Sequence, residues 1–418
     1  MAPLTLAEPA RRIFLRNRIA GRTADGLEYR FHCPDARKFP AQFDWDSCWH
    51  AIALARLDPA AARAELRTLM RAQRSDGFLP HTIFWHRPVL PTRRFFYSMY
   101  ARSDRATQTI QPPFEAFAWE LVARASPDDP GFAAQGVAAL RARHDWLERE
   151  RDADGSGLLC LISPDESGLD ASPKFDAAMR RRRAGRPGFL LHMHALRRDR
   201  FDLKRVLARG GFCVQEVLVN TAHALSLRAL AHLSGDGSLV VRAARVEHAL
   251  IEHLWDERAG LFFDRALPSG TPLAVSTWAS LAPLALPTLP REIADRLVAH
   301  LRDPRAYALP WGIPSTAAYE PSFRRRTSER LPSYWRGPTW IATNWLLHRG
   351  LEQHGYLEDA TRLAQRTVEL VRRSGFREYY DPIDGTPSGS AGFGMSTLAL
   401  DLEYRLWERS GEAVATVA

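Results

Sequence analysis

The sequence predicts an all-α domain arranged as a toroid of helical hairpins. Two observations predict it. Apolar residues recur at i, i+3, i+4 spacing through nine stretches, and Asp-Gly turns recur between them. Period-2 alternation is short and sparse, the best run being Leu261–Asp264.

The helical stretches are 47–56, 59–73, 114–126, 131–150, 215–233, 239–255, 291–302, 340–354 and 357–373. Ala, Leu, Arg and Glu fill them, all residues that lose little freedom in a helix. Turns follow at Asp76-Gly77-Phe78, at Asp154-Gly155 with Gly157-Leu158, at Asp256 with Gly260-Leu261, and at Asp384-Gly385. Asp-Gly is a common turn dipeptide, and the spacing is irregular. Helix–turn–helix units in series nevertheless suit a ring whose connecting loops line a substrate site at one end. The segments 27–46, 81–113, 152–176, 177–213, 303–339 and 374–394 lack periodicity and are expected to be those loops. No Pro/Ser/Gly linker divides the chain, so residues 1–418 read as one domain with an arginine-rich loop insertion near 177–213.

Bulk properties narrow the function. The net charge is +9, with only three lysines (Lys38, Lys174, Lys204) among 57 basic residues. The one dense basic run, Arg180–Arg183 with Arg186 following, reads as a loop and not as a basic face on one element, so nucleic acid is not the expected partner. A basic surface instead favours encounter with a small anionic ligand. The cysteines Cys33, Cys48, Cys160 and Cys213 have no zinc spacing and read as free thiols. His192-Met193-His194 lacks a third ligand, so no metal or cofactor is expected. No signal-peptide h-region and no apolar run of ~18 residues is seen, which predicts a cytoplasmic protein without a membrane span. A homo-oligomer is compatible with all of this.

Aromatic residues and carboxylates gather in four places. The first is Phe43-Asp44-Trp45-Asp46-Ser47 running into Trp49. The second is Gln111-Pro112-Pro113. The third is Asp165-Glu166-Ser167-Gly168-Leu169-Asp170. The fourth joins Tyr334-Trp335-Arg336-Gly337-Pro338-Thr339-Trp340 to Glu378-Tyr379-Tyr380-Asp381. Flat aromatic rings suit the C–H face of a sugar, and carboxylates, amides and guanidinium groups suit its hydroxyls. Cleaving a glycosidic bond requires two carboxyls, one protonated and one ionised. Plainer roles compete: Asp46 as a helix cap, Trp45, Trp49 and Trp340 as core, Asp381-Pro382 as a turn. No GxxxxGK phosphate loop and no GxSxG elbow is present.

These strings resemble glycoside hydrolase family 63, and within it the compact bacterial mannosylglycerate/glucosylglycerate hydrolases. The matching segments are FDWDSCWHAIALARLDP, LRTLMRAQRSDGFLPH, QPP, DESGLDASPKFD, VQEVLVN, GIPS, YWRGPTWIATNWLLHRGLEQHGY and REYYDPIDG, in family order over about residues 13–402. The resemblance implies an (α/α)6-barrel and inverting hydrolysis of a small α-glycoside, with Asp170 as general acid and Glu378 as general base. It implies substrate contacts from Trp45, Asp46, Gln111, Ser315, Tyr334, Trp335, Arg336 and Trp340; Glu166 joins them as a neighbour of the acid. Relatives tend to carry Gln and Trp where Gly392 and Met395 stand here, which bears on substrate fit. The alternatives are another α-glycosidase of the clan, trehalase-like or acting on oligosaccharides, and a sugar-binding protein without catalysis. The QWDxPxxW string usual in trehalases is missing.

Overall fold

Helix α2 (Asp44–Leu54) is buried at all 11 of its positions. A helix apolar all round must lie inside other helices, and α2 is one of six segments that line the inside of a ring. The structure, a computed structural model, describes residues 5–86, 101–103, 106–179, 186–326 and 334–411.

In chain order the other helices are α1 (Ala7–Asn17), α3 (Pro59–Met70), α4 (Glu115–Arg124), α5 (Val137–Arg151), α6 (Arg186–Arg198), α7 (Leu203–Ala208), α8 (Val217–Ser234), α9 (Ser238–Leu254), α10 (Arg291–Arg302), α11 (Ile341–Gln353), α12 (Leu357–Ser374) and α13 (Leu398–Ser410). The inner wall runs α2, α4, α8, a 3-10 segment at Trp278–Ala285, α11 and α13, and α13 packs back on α2 to close the ring. The outer wall is α1, α3, α5, α9, α10 and α12, each preceding its inner partner in the chain. The two walls differ as their sequences require. Inner α8 buries 14 of its 18 residues, whereas outer α12 buries seven of 18 along one stripe. This is the (α/α)6 toroid that helical periodicity and resemblance implied. The ring is filled by aromatic side chains: Trp49 meets Phe114 at 4.6 Å and Trp345 at 5.6 Å between ring centroids.

Local chemistry sets the helix ends. Asp58 accepts from the Ala61 amide at 2.9 Å with Pro59 at the first helical position of α3. Glu216 caps α8 through the Val219 amide, and Gly235 ends it at φ +71°. Strands are short. The hairpin Arg377–Tyr380 with Pro387–Ala391 matters most, because it carries Glu378.

Two expectations are corrected. The 177–213 stretch is not a loop: it carries α6 and α7, inserted between outer α5 and inner α8. Met193, Leu196, Leu203 and Val206 pack there with Cys160 and Cys213 in a small core of their own, which the arginine-rich face conceals in the sequence. The run Arg180–Arg183 lies outside the described residues. The 131–150 stretch breaks at Gly136 into Phe132–Gln135 and α5, and the Trp119 indole packs so close there that a Cβ would lie 2.5 Å from it. The four cysteines are free and buried. Among the described residues no helix is long and apolar enough to cross a membrane.

Candidate active site

The loops entering the inner helices converge at one end of the ring. Asp44, Trp45 and Asp46 form the first turn of α2, Gln111 precedes α4, Trp340 precedes α11, and the Glu378 hairpin precedes α13. Gln111 ties two of these together, its Oε1 accepting from the Trp45 amide at 3.0 Å. That bond does what a cap would do. Asp46 is therefore not the cap of α2; the capping position is Phe43, which offers no side-chain bond.

The loop that carries Asp170 is held from behind. Pro164–Ser167 forms a 3-10 turn that ends at Gly168 with φ +70°. A Cβ there would stand 2.6 Å from the Trp45 indole, so only glycine lets the loop lie on that ring. Glu166 does the holding. It is fully buried, takes Arg151 in a two-pronged ion pair (2.6 and 2.8 Å), and accepts from the Ile110 and Ile162 amides at 3.1 and 2.8 Å. Both oxygens are engaged by protein, so Glu166 is a clamp for this loop and not the substrate contact expected for it. Lys174, a few residues on, is buried between Glu216 and Asp264 and anchors the far side of the loop.

Asp170 follows as an exposed residue, with the next residue, Ala171, in the left-handed region at φ +59°. Its pKa is raised well above the ordinary carboxyl value, first by removal from bulk water, then by the fields of Asp165, Asp46 and Glu378. Asp170 thus keeps exposed surface while other acidic groups crowd its carboxyl. Asp46 is buried and pushed up to about 7, by loss of water and by Glu378, against the stabilising bonds of its own amide and of Trp45. Asp46, Asp170 and Glu378 thus act on one another as neighbours.

Glu378 has a different environment. It is buried, and its Oε2 accepts from Lys38 Nζ at 3.0 Å and from the Ser390 amide at 2.8 Å. The strand beside it comes this close only at Gly389 (φ +69°), where a Cβ would be 2.6 Å from Oε2. The arginines of the neighbouring motifs, Arg336 and Arg377, make no ion pair with it among the described residues. Arg336 is bidentate on Asp176 at 2.5 and 2.9 Å. Sequence reasoning passes over Lys38, yet a lysine kept in so arginine-rich a chain is a signal.

The aromatic residues form one stack. Trp335 lies face to face on Trp340 at 4.1 Å, Trp340 meets Tyr379 at 5.2 Å, and Trp45 meets Trp335 at 6.2 Å. Trp45, Trp335 and Trp340 are each at most 5% exposed, so most of their surface is spent on one another. Trp49 is core. Tyr334 is half-buried at the rim, edge-on to Tyr379. Ser315 is buried, its Oγ accepting from the Gly337 amide at 2.8 Å, and so it braces the Trp335–Trp340 loop. Gly392 does not open the pocket: its carbonyl accepts from Arg16, whose guanidinium stands 2.1 Å from where a Cβ would be. Met395 is buried in the turn entering α13.

The remaining carboxylates of these loops are committed. Asp176 holds Arg336, and Asp381 holds both Arg325 and Arg326. Asp381 also starts a turn through the Ile383 amide, as its sequence suggests. A six-hairpin ring with clustered carboxylates and aromatic rings at one end defines a glycoside hydrolase. The chain belongs to the family of the mannosylglycerate hydrolase MGH1-like glycoside hydrolase domain, which matches residues 39–396. It is 30% identical to the mannosylglycerate hydrolase of Rubrobacter radiotolerans over 88% of this chain and 91% of that one. It is 28% identical to the glucosylglycerate hydrolase of Mycolicibacterium hassiacum over 84% and 89%. The crystal structure of the family 63 mannosylglycerate hydrolase from Thermus thermophilus with Tris and D-glycerate superposes with a TM-score of 0.83, at 29% identity, over 96% of this chain and 100% of that one.

Proposed function

We propose that the enzyme hydrolyses a small α-glycoside with a carboxylated aglycone, glucosylglycerate or mannosylglycerate, with inversion. Asp170 is the general acid and Glu378 the general base. The observation that carries this reading is the contrast between the two carboxyls. Asp170 lies open to the site with its pKa driven up, which suits a group that must hold a proton to deliver to the leaving oxygen. Glu378 accepts two hydrogen bonds, one of them from a cation, which suits a group that must stay ionised to take a proton from water. Asp46 at the foot of α2 serves the sugar hydroxyls, with Gln111 and Tyr334 beside it. The relatives' names, mannosylglycerate and glucosylglycerate hydrolase, support the choice of substrate class.

The mechanism predicts separate signatures. Asp170→Asn keeps shape but has no proton to give, so natural substrates fail while glycosyl fluorides survive. Glu378→Gln fails with both. Each loss should be at least ~10²–10⁴-fold. Proton NMR of the first sugar released from an α-substrate should show the β-anomer; α-sugar, or either variant turning over at the wild-type rate, overturns the assignment. Equal kcat/KM for a glycosylglycerate and its uncharged glycosylglycerol analogue would remove the carboxylated aglycone.

A further inference from the structure

We infer that Lys38 is the positioning residue of the general base: its ammonium pins Glu378 Oε2 and leaves a single oxygen, Oε1, to take the proton from water. The inference rests on the reading of Glu378 as base and goes beyond it.

The geometry begins with the turn that presents the lysine. Asp35 accepts from the Arg37 and Lys38 amides at 2.7 and 3.2 Å, and its carbonyl accepts from the Phe39 amide at 2.8 Å. This Asx-type turn fixes the backbone beneath Lys38. The ammonium then sits 5.1 Å from the Phe39 ring centroid and 6.0 Å from that of Tyr334, which steers it without neutralising it. Its one ion pair among the described residues is to Glu378 Oε2, and a third of the side chain remains exposed.

The charges around the base explain why a cation is needed. Asp46 faces Glu378 from α2 and Asp170 faces it from the acid loop. On its own hairpin stand Arg377, whose backbone amide donates to the Tyr380 hydroxyl, and Tyr379, edge-on to Tyr334 across the site. Three acidic groups thus meet here, and a cation offsets the charge that they carry. Lys38 is the cation bonded to it. Because Lys38 and the Ser390 amide both donate to Oε2, that oxygen is spent, and Oε1 accepts no bond among the described residues. The proton balance follows: water gives its proton to Oε1 as its oxygen bonds to the anomeric carbon, the glycosidic bond breaks, and Asp170 protonates the departing oxygen. An inverting base works on the face opposite the leaving group, so Lys38 acts on the water side and not on the aglycone.

The test is the pH profile of kcat/KM for wild type, Lys38→Met, Lys38→Gln and Lys38→Arg, with folding checked by circular dichroism, alongside Glu378→Gln. The acidic limb should rise by about 1–3 pH units in the Met and Gln variants, with a tenfold loss per unit below it, and should return toward wild type in the Arg variant. A residue that merely props the loop would lower the rate at every pH and leave the limb in place. A limb unmoved in both the Met and Gln variants, with Glu378→Gln inactive, overturns the role of Lys38 alone. An active Glu378→Gln overturns the base and the inference together.

Discussion

Replacing Asp46 with Asn should stabilise the protein near neutral pH while damaging it as an enzyme. Burial and the field of Glu378 lift the Asp46 carboxyl from 3.8 to about 7. The folded chain therefore holds a proton between about pH 4 and 7 that the unfolded chain has released. Stability falls with pH wherever the folded state binds more protons, so the wild type loses stability across that window. Lifting a carboxyl this far corresponds to ~4 kcal/mol at and above pH 7. That figure is shared with Asp170, on which the charge of Asp46 also acts. Asn keeps the shape and an acceptor oxygen but carries no charge. Urea unfolding at intervals from pH 4 to 8 should then give curves that nearly meet at pH 4 and diverge to at most ~4 kcal/mol in favour of Asp46→Asn at pH 8. Meanwhile kcat/KM should fall tenfold to over a hundredfold, the weight of a charge-assisted bond of ~1.5–3 kcal/mol to a sugar hydroxyl. Parallel unfolding curves would refute the account of a desolvated, repelled carboxyl. A variant less stable than wild type at every pH, with unchanged activity per folded molecule, would return Asp46 to a purely structural role at the start of α2.

Two further outcomes test the site's scaffolding. Gly389→Ala places a methyl 2.5 Å from the Glu378 Cβ at φ +69°, so it should cost ~2–5 kcal/mol in backbone strain and overpacking; the base shifts, and kcat should fall more than KM rises. Glu166→Gln leaves Arg151 buried without its counter-charge, and thermal unfolding should show a loss of ~3–5 kcal/mol; activity per folded molecule should hold, whereas a selective rise in KM would restore Glu166 as a substrate contact.

What is legible in the sequence depends on whether a residue's task is local. Helices α2, α8, α11 and α12 are legible because each repeats its apolar positions within its own length. The 3-10 segment Trp278–Ala285 is not, since it is apolar throughout and holds Pro283, which removes an amide that a helix needs. Helix α1 lacks a start signal: its capping position is Leu6, with no side-chain bond. Asp170 and Glu378 stand out by motif, and Asp46 by its place in a tryptophan-rich turn. The Lys38–Glu378 pair does not, because it joins segments 340 residues apart that meet only when the ring is folded; the Arg151–Glu166 pair spans 15 residues but depends on a loop that turns back onto its helix. Glu166 is misread for the same reason. Its neighbours in sequence suggest a site, and its neighbours in space are two amides and a guanidinium.

The closing of α13 on α2 has a consequence for the order of folding. Arg56, just past α2, grips Asp401 of α13 across 345 residues of sequence. Contacts of such high order form slowly, since a long chain must be ordered before they repay it. On the ribosome the α2 turn with Asp46 emerges first, the acid loop midway, and the base with its hairpin just ahead of the closing helix. The site is thus the final product of folding: any intermediate that has not yet joined α13 to α2 lacks the closed ring that brings Asp46, Asp170 and Glu378 together.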